Sequence, residues 1–235
     1  MNADPRIERL GDAALLLRFG DSVDAALNRR VHACAEALRA QAPGWLSELT
    51  PAYASLALHV DAARIGSDDP LEPAQRWLQD WLASARIDTQ SAASRLVDIP
   101  VLYGGAAGPD LANVAARAGI DVEEAAARHA AADYTVAMLG FAPGFPYLLG
   151  LDARLATPRH ATPRRRVEAG SVGIGGAQTG IYPDAGPGGW QLIGRTPLRL
   201  FDVRREQPSL LRAGDRVRFI AIDATTFADT SGHDR

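Results

Sequence analysis

Glycine and proline crowd one stretch of this chain and limit what it can fold into. Residues 140–200, about a quarter of the 235-residue sequence, hold 12 of its 22 glycines and 7 of its 15 prolines. Both residue types disfavour helix interiors, so this density excludes long helices. Short runs within and after the segment fit strands instead: Arg166–Glu168, Ser171–Ile174, Trp190–Ile193, Leu198–Phe201 and Arg216–Ile222. Many short strands joined by turns predict a β-barrel or a β-sandwich.

The first hundred residues show a different pattern, in which strand-like and helical runs alternate. Helices are predicted from a cap at Asp21-Ser22 to about Ala40 and over Pro70–Ala85, because apolar residues recur there at helical spacing. Strands are predicted over Ala13–Phe19, Trp45–Leu49, Tyr53–Val60 and Arg95–Val101. The order β-α-β-β-α-β predicts a ferredoxin-like α/β sandwich. That topology hosts many activities and identifies none of them.

Two short helices are predicted next, over Pro109–Ala118 and Asp121–Ala131, with a strand over Tyr134–Phe141 after them. The spacing of the two helices is similar to that of a DNA-binding helix-turn-helix. The second helix, however, begins with acidic residues that would repel phosphates and that suit a helix N-terminus. Together with a formal net charge of -3, this argues against nucleic acid and against an anionic membrane as partners.

All 25 basic residues of the chain are arginines, and it has no lysine. A P-loop needs a lysine against the phosphates and Schiff-base chemistry needs a lysine amine, so both are excluded. The single cysteine, Cys34, cannot form an internal disulfide, which favours a reducing compartment. No stretch reaches the length of a signal peptide core or a membrane span, and we expect a soluble cytoplasmic protein.

The sequence matches several catalytic motifs only in part. Ser171 lies in a near match to the G-x-S-x-G nucleophile elbow, but Ile174-Gly175-Gly176 follows and does not start a helix. The same glycines fail the G-x-G-x-x-G pattern at its last position. The five histidines show no paired spacing, so no metal site is predicted. His129, among alanines on a predicted helix, fits a buried structural histidine.

The Gly/Pro segment also carries polar side chains without an evident structural role. They are Arg159, Arg164, Gln178, Thr179, Tyr182, Gln191 and Arg195. Arginine clamps carboxylate or phosphate through its planar fork, and glycine lets backbone N–H groups approach a ligand, so one interpretation is an anion-binding surface. The other is that glycine and proline only shape tight corners while the arginines are solvated. Composition leaves both open.

A resemblance to a known family lies in the same segment. Residues 140–148, GFAPGFPYL, are similar to the G-F-x-P-G-F-P-Y-L motif of the 5-oxoprolinase B-subunit family. Further similar motifs are VLYGG at 101–105, GPDL at 108–111, ATPR at 156–159, PR at 163–164, AGSVGIGGAQTGIYP at 169–183 and PGGWQLIGRT at 187–196. His129 and Tyr134 also fall where the family has them. The resemblance covers essentially the whole chain.

The resemblance implies an α+β protein with a ferredoxin-like N-terminal domain, residues 1–92, and a cyclophilin-like β-barrel, residues 93–223, before a loose tail at 224–235. It implies the B subunit of an ATP-dependent 5-oxoprolinase, which opens the lactam of 5-oxoproline (pyroglutamate) to glutamate. The C subunit would share the site, the A subunit would work with them, and this chain would be inactive alone. Any lysine that the ATP chemistry needs would come from a partner.

Site roles follow from the same resemblance. Arg159, Arg164 and Arg195 would clamp a carboxylate or a phosphate. Gln178 and Thr179 would hydrogen-bond the lactam, and His129 and Tyr182 would transfer protons. The family also includes an inhibitor of a sporulation histidine kinase and is similar to part of the carboxyltransferase domain of urea amidolyase. A regulatory binding protein and a part of a biotin-dependent carboxyltransferase or allophanate hydrolase are therefore the alternatives.

Overall fold

A computed structural model describes residues 5–87 and 95–233. The chain divides into two compact units, Met1–Ala93 and Ser94–Arg235. No helix within the two described ranges is both long and apolar enough to cross a membrane.

The first unit is a four-stranded antiparallel sheet with helices packed on it. Its strands are β1 (Arg6–Arg9), β2 (Ala14–Arg18), β3 (Leu46–Pro51) and β4 (Ser55–Val60), in the order β1-β2-β4-β3. Its helices are α1 (Ala25–Ala40), α2 (Ala62–Ile65) and α3 (Leu71–Ser84). Alternate residues of β2 and β4, such as Leu15, Leu17 and Leu58, point to one face and form a core with α1 and α3.

The predicted fourth strand of the ferredoxin-like sandwich, Arg95–Val101, is not part of this sheet. It forms strand β5 (Leu96–Tyr103), which belongs to the second unit, and β1 takes the edge position beside β2. The sequence does not reveal that this strand belongs to the second unit, because the strand that pairs with β5 comes much later in the chain. The ion pair between Asp98 and Arg218, 120 residues apart, joins the two strands. The helix cap also differs from the prediction: Asp24, not Asp21-Ser22, accepts hydrogen bonds from the first turn of α1.

The second unit contains a closed seven-stranded barrel, which agrees with the predicted cyclophilin-like barrel. Besides β5, its strands are β6 (Tyr134–Leu139), β7 (Pro146–Leu149), β9 (Ser171–Gly175), β10 (Gln178–Ile181), β12 (Gln191–Arg195) and β13 (Arg216–Ala221). Around the barrel their order is β10-β7-β6-β13-β5-β12-β9. Strands β8 (Arg164–Val167) and β11 (Gly186–Gly188) form a separate pair. The predicted strand Leu198–Phe201 is irregular and makes one isolated bridge, between Phe201 and Ser209.

Helices α4 (Leu111–Ala118) and α5 (Val122–Ala131) pack on the barrel, and a 3₁₀ turn follows at Ala153–Leu155. Val114, Ala115 and Ala125 join the barrel core, so the two helices bury one face rather than present it to DNA. The C-terminal residues, predicted to be loose, form α6 (Ala224–His233). Asp223 explains this helix, because its carboxylate accepts the N–H of Thr226 at 2.8 Å and caps the first turn.

Candidate functional site

A cavity of about 290 Å³ opens on the second unit, and its walls are mainly aromatic. The residues that line it are Phe141, Phe145, Tyr147, Tyr182, Trp190, Arg159, His160, Pro163, Pro187, Gly188 and Gly189. The rings of Phe145 and Tyr182 pack edge to face with their centroids 5.2 Å apart. The rings of Phe145 and Trp190 pack in the same way, with a centroid distance of 5.6 Å. Such contacts fix the rings, so the walls of this small cavity are preformed.

Part of the glycine density makes room for these rings. A Cβ on Gly175 would lie 2.6 Å from the Trp190 ring, and one on Gly188 would lie 2.5 Å from the Tyr182 hydroxyl. Real Cβ atoms do not approach other atoms this closely, so any side chain here would displace a wall. At these positions glycine therefore serves the packing of the cavity rather than a backbone approach to a ligand.

Phe141 forms part of the rim in an unusual conformation. Its φ is 71°, and no other non-glycine residue within 5–87 and 95–233 has a positive φ. The N–H of Ala142 donates to the carbonyl of Gly140 at 2.9 Å, which closes a tight γ-turn around Phe141. Such a conformation costs about 1–3 kcal/mol. The turn leaves Phe141 68% exposed, while the centroid of its ring still lies 5.4 Å from that of the Phe145 ring.

A charged cluster lies beside the cavity. Asp110, just before α4, accepts the Arg164 guanidinium at 2.7 Å and the backbone N–H of Leu192 at 2.7 Å. The Nε2 atom of His160 lies 3.3 Å from the same carboxylate. Burial alone would raise the pKa of Asp110, but the hydrogen bonds from Arg164 and Leu192, together with the nearby His160 imidazole, outweigh burial and hold that pKa below its usual value. Asp110 is therefore a carboxylate at neutral pH.

Two side chains of this cluster retain unmet bonding capacity. The Nη1 atom of Arg164 is buried with no hydrogen-bond partner in the described part of the chain. The Nε2 atom of His160 is also buried, and although it lies 3.3 Å from the Asp110 carboxylate, it makes no well-aligned hydrogen bond to a described residue. Buried polar atoms of this kind are uncommon and mark places where a ligand or a small rearrangement completes the bonding.

Arg159 and Tyr182, both predicted as site residues, line the cavity. The Arg159 guanidinium carbon lies 5.5 Å from the centre of the Trp190 ring, a cation–π contact that keeps a positive charge at the cavity. Burial raises the pKa of Tyr182, although the backbone hydrogen bond at Trp190 and the charge of Arg159 act in the opposite direction. Tyr182 is thus a protonated phenol at neutral pH and can donate a hydrogen bond.

His129 and Thr179 lie elsewhere, in the interior of the barrel. Tyr103 donates its hydroxyl to Nδ1 of His129 at 2.7 Å, and Nε2 of His129 lies 3.0 Å from the Thr179 hydroxyl. Thr179 in turn donates to the carbonyl of Gly173 at 2.9 Å, so it accepts from His129, which carries its proton on Nε2. Complete burial lowers the pKa of His129 to about 3. The imidazole is therefore neutral, and it does not line the cavity.

The remaining predicted residues have other neighbours. Arg195 donates from Nε to the carbonyl of Ala169 at 2.8 Å, and Gln178 starts β10 after the turn at Gly176; neither lines the cavity. Gln191 is buried and donates to the carbonyl of Pro158 at 2.9 Å, which fixes the loop that carries Arg159. In the described residues no group of three histidine, cysteine or acidic side chains is placed to hold a metal ion.

Sequence reasoning missed Asp110, His160 and every aromatic wall except Tyr182 as site residues. Asp110 lies in the GPDL motif and His160 directly follows the ATPR motif, so each was next to a recognised pattern. Fifty positions separate the two residues, and only the barrel fold brings the imidazole to the carboxylate. A pairing that depends on tertiary structure leaves no periodic signal in the sequence.

Comparisons with known proteins support a family assignment. Residues 5–211 match the family model of the carboxyltransferase domain, subdomain C and D. The chain is 45% identical to the 5-oxoprolinase B subunit of Bacillus subtilis over 224 residues, which cover 92% of each protein. It is 44% identical to the 5-oxoprolinase B subunit of Escherichia coli O157:H7 over 211 residues, 90% of this chain and 93% of that one.

Solved structures show the same fold. TTHA0988 superimposes with a TM-score of 0.78 at 40% identity over 90% of this chain, which spans only 40% of the TTHA0988 chain. PH0987 from Pyrococcus horikoshii, described as a conserved uncharacterized protein, has a TM-score of 0.57 at 41% identity and is covered in full. The urea amidolyase of K. lactis has a TM-score of 0.73 at 21% identity, and this chain spans 15% of it, a likeness of fold alone.

Proposed function

Because this chain belongs to the family of the carboxyltransferase domain, subdomain C and D, we propose that it acts as the B subunit of a 5-oxoprolinase. The observation that carries the proposal is its identity of 44–45% with two proteins of that name over nearly their full lengths. The reaction is the ATP-dependent opening of the 5-oxoproline lactam to glutamate in the cytoplasm. The C subunit supplies the rest of the site and the A subunit works with both, so this chain alone is inactive.

The aromatic cavity suits the substrate. 5-Oxoproline is a small ring with a planar amide and one carboxylate, and the rings of Phe145, Tyr182 and Trp190 offer it apolar walls. A volume of about 290 Å³ is just below the usual range for small-ligand pockets, about 300–1,000 Å³, which suits a molecule as small as 5-oxoproline. Arg159 would bind the carboxylate, and the Tyr182 phenol would donate to the amide carbonyl.

The other predicted residues receive different roles in this proposal. Arg164 acts through Asp110, whose charge it compensates at 2.7 Å. His129 and Thr179 stabilise the barrel interior through their buried hydrogen bonds. Gln178 and Arg195 do not line the cavity, so we give them no contact with the lactam.

ATP does not fit the same cavity. A triphosphate needs several positive groups or a run of backbone N–H groups, and the lining offers Arg159 and His160 among aromatic walls. The chain has no lysine to add. We therefore propose that ATP binds to a partner protein of the complex, while this chain positions the lactam and excludes water around it. ATP supplies the activation of the amide oxygen as a phosphate ester when the complex is assembled.

The test is a reconstitution with the other two proteins of the complex. The chain is co-expressed with the A and C subunits, and glutamate formation from 5-oxoproline is measured with and without ATP. We expect turnover only with ATP and only when this chain is present. Turnover by the A and C subunits without this chain, or no turnover by the complete complex, would contradict the proposal.

A further inference from the structure

One side chain that lines the cavity has a chemistry suited to proton transfer and lies beside a buried carboxylate. His160 lines the cavity, and its Nε2 atom faces the buried Asp110 carboxylate at 3.3 Å. We propose that His160 carries the proton during ring opening and that Asp110 is its positioning residue. The inference rests on the proposed function and assigns the proton transfer to a different group from His129 and Tyr182.

His160 is better suited to this role than the other candidates. The His129 imidazole is enclosed in the barrel and already bonded at both ring nitrogens, so it has no position left for a substrate. Burial raises the pKa of Tyr182, so its phenol holds its proton and acts as a donor only. An imidazole can accept a proton at one ring nitrogen while it donates a hydrogen bond from the other. Among the described residues that line this cavity, His160 is the one imidazole.

Asp110 lies beside one nitrogen of the imidazole. Its carboxylate, 3.3 Å from Nε2, favours the tautomer with the proton on that nitrogen and stabilises the imidazolium that forms when the other nitrogen accepts a proton. The proposal therefore assigns Nδ1, the other ring nitrogen, to water or substrate. Arg164 and the N–H of Leu192 hold Asp110 in place, which makes the carboxylate a fixed support.

The proposed step balances with ATP and two water molecules. The γ-phosphoryl group of ATP moves to the amide oxygen, ADP leaves and the amide proton is released, so the carbon carries the phosphorylated oxygen and a double bond to nitrogen. The oxygen of one water bonds to this carbon while one of its protons moves to His160. When the bonds between that carbon and the ring nitrogen break, their electron pairs stay on nitrogen, which takes the proton from His160, the second proton of the water and one proton from solvent. The acyl phosphate that is left reacts with a second water to give the carboxylate and inorganic phosphate, and His160 is neutral again.

The step predicts a pH dependence with a definite sign. A general base must be unprotonated to accept a proton, so we expect the activity to fall on the acidic side of the pH profile. The titratable or charged groups close to it are Asp110, Arg159, Arg164, Tyr147 and Tyr182. Asp110 stays ionised through the neutral range because its pKa is lowered, so it does not produce this acidic limb itself.

The experiment compares wild type, His160→Ala and His160→Gln in the assembled complex of three proteins, with His59→Asn as a control on the N-terminal sheet. Thermal unfolding first establishes that the variants fold. We expect kcat to fall about 100-fold or more for both His160 variants, with KM within about threefold. The acidic limb should disappear, and added imidazole should restore part of the rate of His160→Ala. His59→Asn should match wild type.

Failure of the inference is distinct from failure of the proposed function. A folded His160→Ala complex with kcat within threefold of wild type would overturn the inference and leave the function intact. So would a slow variant that keeps the acidic limb and does not respond to imidazole, because its defect would be structural. If the wild-type complex itself forms no glutamate, the proposed function fails and the inference fails with it.

Discussion

We expect the buried His129 to lower the stability of the folded barrel at acidic pH. Burial lowers the pKa of His129 to about 3 in the folded protein, whereas the unfolded chain binds the proton near pH 6.5. Below pH 6.5 the unfolded state therefore holds a proton that the folded state does not, and stability is lost as the pH falls. Each pH unit costs about 1.4 kcal/mol, so the barrel loses about 2.7 kcal/mol from this group at pH 4.5. Above pH 6.5 the effect is absent.

His129→Gln isolates this contribution. The amide does not titrate, so the variant lacks the His129 part of the acid sensitivity, while the carboxylates with lowered pKa values, such as Asp110, contribute equally to both proteins. Urea unfolding is followed at pH 7.0 and 4.5 by ¹⁹F NMR of fluorotryptophan-labelled protein. Trp190 reports the barrel because residues 94–235 contain no other tryptophan. We expect the two pH-dependent losses to differ by about 2–3 kcal/mol.

Equal losses in the two proteins, within about 0.5 kcal/mol, would refute this reasoning. They would mean that the His129 imidazole titrates in the folded state close to its normal value. It would then be accessible to protons and a candidate for proton transfer after all. The experiment thus separates a structural His129 from a catalytic one without an activity assay.

Two further variants test the charges at the cavity. Arg159→Met should raise KM for 5-oxoproline about fivefold with kcat within twofold, because an exposed charge pair contributes up to about 1 kcal/mol. Arg165→Met, an exposed neighbour, is the matched control, and equal KM values for the two variants would contradict the role of Arg159. Arg164→Met should lower the free energy of unfolding by about 2 kcal/mol, because it leaves the Asp110 carboxylate without its guanidinium. A loss below about 0.5 kcal/mol in thermal unfolding would show that the pair does not stabilise the fold.

Local sequence patterns predicted most elements of the fold, and long-range pairing explains the errors. The glycine and proline density correctly indicated short strands, and the closed barrel follows from them. The assignment of Arg95–Val101 to the N-terminal sheet was wrong because that strand pairs in parallel with β13, far along the chain. Strand β1 was missed because its four residues, Arg-Ile-Glu-Arg, contain a single apolar residue.

The candidate site was predictable where one residue type carried the signal. Arg159 and Tyr182 were singled out as polar groups in the Gly/Pro segment, and both line the cavity. His129 and Thr179 are buried in the barrel interior instead of lining the cavity. Their burial depends on the strands and helices that surround them, which the local sequence does not show. The carboxylate next to His160 comes from a turn 50 residues earlier, so this contact requires the folded barrel.

The most direct test of the proposed 5-oxoproline site alters the cavity wall without removing any polar group. Gly188→Ala places a Cβ 2.5 Å from the Tyr182 hydroxyl and must displace that cavity wall, whereas Gly186→Ala, in the same strand, meets nothing within 4 Å. Both variants are assembled with the A and C subunits, and ATP-dependent glutamate formation from 5-oxoproline is measured. We expect at least a tenfold loss of kcat/KM for Gly188→Ala and wild-type activity for Gly186→Ala. A fully active Gly188→Ala complex would contradict the assignment of this cavity as the 5-oxoproline site.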